Sequence, residues 1–141
     1  MTSARQKQSG FTLLELLVVL GIIAMLAGIV GPQVMKHLGE SKTKAAKVQV
    51  EDFSAALDMY KLDMGKYPTS DQGLQALIEA PEGSKRWNGP YLRKAKTPLD
   101  PWQNEYHYVS PGTHGKFDLF TYGADDKEGG EGEDQDINNW E

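Results

Sequence analysis

From Phe11 to Val34 the chain is apolar at nearly every position and carries one charge, Glu15, before Lys36. Roughly 24 residues rising about 1.5 Å each reach about 36 Å as a helix, enough to cross a bilayer core of about 30 Å. Gly21, Gly28, Gly31 and Pro32 interrupt the run. An interior glycine costs about 1 kcal/mol relative to alanine and proline removes a backbone donor, so a kink or loosening is expected near Gly31-Pro32. Beyond it the pattern becomes amphipathic: Ala45, Val48, Phe53, Ala56, Leu57 and Tyr60 recur among Lys42, Lys44, Lys47, Glu51, Asp52 and Asp58. Phe53, Ala56, Leu57 and Tyr60 follow i, i+3, i+4, i+7, the spacing of one helical face. The prediction is one long, bent helix from about residue 12 to about residue 61, apolar all round in its first half and packed through one stripe in its second.

Gly65 and Pro68 stop that helix, and Ser70 or Asp71 is placed to cap a short second one across Leu74, Leu77 and Ile78 that ends before Pro81. Residues 83–90, with Trp87, Gly89 and Pro90, read as a loop. Apolar-rich segments at 105–110 and 116–122 flank a Pro-Gly-containing loop at 111–115, a hairpin signal, and a third short strand is expected at 91–93. A long helix, a short helix and a small antiparallel sheet define an α+β class.

With 141 residues and no cysteine, the chain holds one modest domain beside the apolar segment, and no disulfide can staple it. The formal charge of −5 is concentrated at one end: residues 125–141 carry eight acids and one lysine. The rest is nearly balanced, which argues against a nucleic acid partner, since phosphate binding needs clustered Lys and Arg. Arg5 and Lys7 precede the apolar run. The positive-inside rule puts them in the cytoplasm and the bulk of the chain across the membrane. An ordinary secretory signal or a plain anchor would do the same, although Glu15 would interrupt the apolar core of a signal.

Glu15 carries the most information, because a carboxylate inside a membrane helix costs about 2.5–3.5 kcal/mol and needs a partner. Thr12-Leu13-Leu14-Glu15 fits the T-x-x-E capping box, which would satisfy it locally. The other reading is a pair with a cation on another subunit, such as a Phe11 α-amine exposed by cleavage after Gly10; the two can coexist in different states. The basic leader, Gly10-Phe11 and FTLLELLVVLGIIAMLAGIV resemble the leader and N-terminal helix of type IV pilins and pseudopilins. The resemblance implies that a prepilin peptidase cuts between Gly10 and Phe11, that the Phe11 amine is methylated and that Glu15 supports assembly. It divides the chain into a leader (1–10), a membrane and filament-core helix (11–34) and a periplasmic head (35–141).

ALDMYKLDMGKYPTSDQGLQAL, then Asp100-Pro101-Trp102, Ser110-Pro111-Gly112 and the closing stretch from Gly123 to Trp140, narrow the resemblance to the major pseudopilins of type II secretion systems. That family implies a filament subunit stored in the inner membrane and helping to export folded proteins. Its implied partners are further copies of itself, minor pseudopilins, the prepilin peptidase and an inner-membrane assembly platform. A type IV or minor pilin shares the leader, but many of these close the C-terminal region with a disulfide, which this chain cannot form. A membrane-anchored, calcium-dependent enzyme is the rival from another class. It would need a pocket of convergent polar groups, and no nucleophile elbow or other catalytic signature is present.

The acidic end is the remaining candidate for chemistry. A run of carboxylates with Gly129, Gly130 and Gly132 is normally solvated and disordered, yet Ile137 and Trp140 follow and can pin it to a core. A tethered loop of mutually repelling carboxylates suits a hard cation, and calcium takes six to eight oxygens in flexible geometry. Asp134-Gln135-Asp136-Ile137-Asn138 superficially matches the start of an EF-hand, but Asn139 takes the required glycine position. The family resemblance implies one structural calcium ion in loop 122–140, with Asp125 and Asp136 as side-chain ligands, Asp134 next and Tyr122 through its carbonyl. Asp126 stands where a glycine is expected after the first Asp. His37, His107 and His114 lack zinc spacing, and Trp87 and Trp102 read as packing residues.

Overall fold

A computed structural model describes residues 9–141; residues 1–8 of the expected leader (1–10), with Arg5 and Lys7, lie outside the described residues. Helix α1, Leu13–Met64, runs 52 residues and passes Gly31 and Pro32 without interruption. The expected loosening therefore does not break the helix. Proline withdraws a single N–H, the donor to the Gly28 carbonyl, and leaves the other turns of the ladder intact. Two compact units divide the chain, one up to His37 and the other Leu38–Glu141.

In the first unit the apolar side chains face outward: Leu13, Leu14, Leu17, Ile23 and Ile29 are each more than half exposed. Alone among the described helices, α1 is long and apolar enough to cross a membrane by length and composition. In the second unit α1 turns one stripe inward. Ala46, Val50, Phe53, Leu57 and Tyr60 are buried at spacings of four and three, joined by Ala56. Ala45 and Val48, expected on this stripe, are exposed. Val48 lies five residues from Phe53, about 140° round the helix, whereas Ala46 and Val50 return to the same face.

Leu74, Leu77, Tyr106, Phe117, Leu119 and Ile137 complete the core against that stripe. Tyr106 meets Phe53 edge to face at 5.1 Å. Burying each large apolar side chain contributes about 1.5–3 kcal/mol, so this stripe supplies much of what holds the head together.

The second helix is shorter than expected, a single 3-10 turn over Leu74–Leu77. Neither Ser70 nor Asp71 caps it. Thr69 and Gln72 bond reciprocally one turn earlier, Thr69 N–H to Gln72 Oε1 at 2.9 Å and Gln72 N–H to Thr69 Oγ1 at 3.3 Å. Gly73, at φ 57°, then redirects the chain, so helical geometry cannot propagate from that turn. Ser70 instead ties this segment to Ser110, accepting its N–H at 2.9 Å and donating to its carbonyl at 3.2 Å.

The expected hairpin forms as β1 (His107–Val109) and β2 (Asp118–Thr121), antiparallel with His107 opposite Phe120. Its third strand is β3 (Ile137–Asn138), paired to β2 with Ile137 opposite Thr121. Residues 91–93, expected as a strand, are irregular. Tyr91 is instead held by its N–H to the Leu77 carbonyl at 2.7 Å and by its hydroxyl to Asp63 at 2.7 Å.

The loop between β1 and β2 wraps the buried carboxylate of Asp118, which accepts from Thr113 N–H at 2.8 Å and His114 N–H at 3.1 Å and meets the His114 ring at 3.0 Å. Burial pushes this carboxyl up, but these hydrogen bonds together outweigh it and hold it below the usual carboxylate range. Gly112 is required here, because a Cβ would meet Asp118 and the Phe117 backbone.

Candidate functional site

Two places carry candidate chemistry, the start of α1 and the acidic loop. Residues 9–12 precede the helix without regular structure, and Phe11 is 91% exposed, so the Gly10–Phe11 bond lies in open chain. At the helix start the capping box is formed. Glu15 N–H donates to Thr12 Oγ1 at 3.2 Å and Thr12 N–H donates to Glu15 Oε2 at 3.3 Å. The carboxylate sits in the first turn, where the helix dipole favours negative charge. Both bonds are long and exposed, and such a cap is worth about 1 kcal/mol, little enough to be exchanged for a stronger cationic partner.

The acidic loop leaves β2 at Tyr122 and returns at β3. Ile137 is 3% exposed, and Trp140 stacks on the His114 ring at 4.1 Å with 7° between planes, so both residues pin the returning end as expected. Inside the loop Ala124 N–H donates to the Glu133 carbonyl at 2.8 Å, closing its base. Gly129 N–H is shared by the two Asp136 carboxylate oxygens at 3.0 Å each, and Lys127 N–H reaches Asp125 Oδ1 at 3.3 Å. Asp134 closes a short 3-10 turn, Gly132–Asp134. Asp126 adopts φ 53°, which accounts physically for a glycine being the residue expected there.

Tyr122, Asp125, Asp134 and Asp136 thus lie on one folded loop. Among the described residues, no three acidic, histidine or cysteine side chains stand close enough to hold a metal by themselves. A site here would combine one or two carboxylates with main-chain carbonyls. The donors are all oxygen, which suits calcium and disfavours zinc or copper. Gly130, at φ 101°, passes so close to Asp134 that a Cβ would meet its carbonyl and side chain. The donor chemistry fits a hard cation.

Residues to which the sequence assigned no role in the loop hold it in place, Asp100 and Trp102 having entered only as part of a family motif and, for Trp102, as a packing residue. Asp100, 1% exposed, accepts from Trp102 N–H at 2.9 Å, Asn104 N–H at 2.8 Å and the Thr121 hydroxyl at 2.5 Å. Asn104 Nδ2 donates to the Gly123 carbonyl at 3.0 Å, and Trp102 Nε1 donates to Glu133 Oε2 at 2.9 Å. The available signal was Asp before Pro, a turn-initiating pair, in Asp100-Pro101.

Comparison with known proteins gives this geometry its context. Residues 33–140 match the family model for type II secretion system protein G, and residues 5–31 match the prokaryotic N-terminal methylation motif. The type II secretion system core protein G of Pseudomonas aeruginosa is 50% identical, with 97% of this chain and 98% of that relative covered. Its counterpart from Vibrio cholerae is 46% identical over 96% and 93%. The crystal structure of the major pseudopilin from the type 2 secretion system of enterohaemorrhagic Escherichia coli superposes with a TM-score of 0.61 at 32% identity, covering 77% of this chain and 95% of that one. The family model matched across residues 33–140, together with relatives about half identical over nearly the whole chain, shows that the chain belongs to the type II secretion system protein G family, the major pseudopilins.

Proposed function

We propose that this chain is a non-catalytic building block of a helical filament. A prepilin peptidase cuts between Gly10 and Phe11, the Phe11 amine is methylated, and the mature subunit waits in the inner membrane through residues 11–34 with its head in the periplasm. An assembly platform then draws it out to pack against its own copies and minor pseudopilins, and the growing filament helps move folded proteins outward. The observation that carries this reading is the exposed apolar half of α1 with its single acid at the first turn. Such a surface is stable only in lipid or against similar helices. Glu15 would trade its local cap for the amine of a neighbour and set axial register, since an unpaired charge in that setting is costly. A head-to-tail contact that does not close yields a fibre.

Calcium would take side-chain oxygens from one or two of Asp125, Asp136 and Asp134, with the Tyr122 carbonyl and other main-chain carbonyls completing the shell, relieving repulsion within the loop. It would stabilise the folded head by linkage alone. Mass spectrometry of the mature protein tests the processing step directly: the chain should begin at methylated Phe11. An intact leader, or a start near Gly28, would refute it.

A further inference from the structure

The turn from Asp100 to Asn104 touches both ends of the acidic loop. At the outgoing end Asp100 holds the Thr121 hydroxyl, and Asn104 holds the Gly123 carbonyl. At the returning end the Trp102 indole holds Glu133. The Glu133 side chain in turn lies over Gly39 of α1, a buried glycine whose missing Cβ leaves the space the carboxylate occupies. Glu133 is therefore occupied on two sides, whereas Asp125 and Asp136 accept only loop N–H groups, from Lys127 and Gly129, and Asp126 lies 4.0 Å from the His107 ring nitrogen. Asp100 is nine-tenths buried or more with three neutral donors on it, an arrangement that fixes the turn rigidly.

We infer that Asp100, Trp102, Asn104 and Glu133 form a clasp that holds the acidic loop closed at both ends and so positions its oxygen donors for calcium, with Gly39 as the seat. The cation part rests on the calcium reading given above. These four are positioning residues, and none of them is a ligand. The clasp explains why the base hydrogen bond from Ala124 to the Glu133 carbonyl persists beside so many like charges: Glu133 is anchored through its side chain, so its carbonyl stays in place.

The test uses the full chain in detergent micelles, with amide hydrogen exchange at Ala124 and calorimetric titration with calcium chloride. Trp102→Phe keeps the ring and removes the indole donor; Glu133→Ala removes the acceptor. Each should speed Ala124 exchange about fivefold and weaken calcium binding about fivefold, the worth of one hydrogen bond. Glu133→Gln keeps an oxygen for the indole and should stay within about twofold of wild type, whereas a purely electrostatic role would make Gln behave like Ala. Wild-type exchange in both Trp102→Phe and Glu133→Ala would overturn the clasp. Faster exchange with unchanged calcium affinity would overturn its positioning role. A wild-type chain that takes up no calcium would sink the calcium reading, and Ala124 exchange would still decide whether the clasp exists.

Discussion

Two residues show how backbone and burial set what a side chain can do. Asp126 stands in a left-handed conformation that aspartate tolerates and β-branched residues do not. Asp126→Gly should leave the melting temperature of the head unchanged or raise it, and Asp126→Val should cost about 1–3 kcal/mol, read by thermal denaturation. Asp118 has its carboxyl depressed in the folded state, so its contribution is present above the ordinary carboxylate value of 3.8 and is lost as pH falls through the lower folded value. The stability gap between wild type and Asp118→Asn should therefore be largest near pH 6 and narrow below about pH 4. A gap that does not change with pH would show that the carboxylate gains nothing from its three donor contacts. The role of Asp118 was not legible in the sequence, because its donors are loop amides whose approach depends on the 111–117 turn. The glycine expected at 126 came from the family resemblance and not from the pattern of the chain, and the positive φ supplies its physical reason.

At the scale of elements, the Phe53–Tyr60 stripe was readable because four apolar residues repeat the helical period without interruption. Its upstream phase was not: lysines surround Ala45 and Ala46 alike, and only packing against the head selects Ala46. Leu57→Ala, at a fully buried position, should cost about 2–5 kcal/mol, whereas Val48→Ala should cost well under 1, and equal losses would contradict the observed stripe. A two-residue strand such as β3 has no period to detect, and Tyr91-Leu92-Arg93 alternates too briefly to distinguish a strand from a tethered loop. The acidic loop was read as tied down by Ile137 and Trp140, and both do so, but the clasp from residues 100–104 joins positions some thirty residues apart and leaves no local pattern. Chelation of calcium should lower the melting temperature of the full chain in detergent, and re-addition should restore it. A melt unchanged by chelation would remove the metal from the account.

For the whole molecule, one chain combines a surface that water excludes with a head that water stabilises. The apolar half of α1 buries nothing within its own unit, so its stability must come from lipid or from other copies. That division was plain in the sequence from the change of hydrophobic pattern after Val34, and the two family matches meet close by, one ending at residue 31 and the other beginning at residue 33. On the proposed function, Glu15 serves in assembly beyond its local cap. The most direct measurement is fibre yield from Glu15→Ala beside wild type, with cleavage scored on the same samples. Loss of the cap alone costs about 1 kcal/mol, and loss of a desolvated charge pair about 3–5 kcal/mol at every subunit contact. Cleavage at Gly10–Phe11 should be normal while fibres fall to a small fraction of wild type; wild-type fibre yield from the variant would reduce Glu15 to a helix cap.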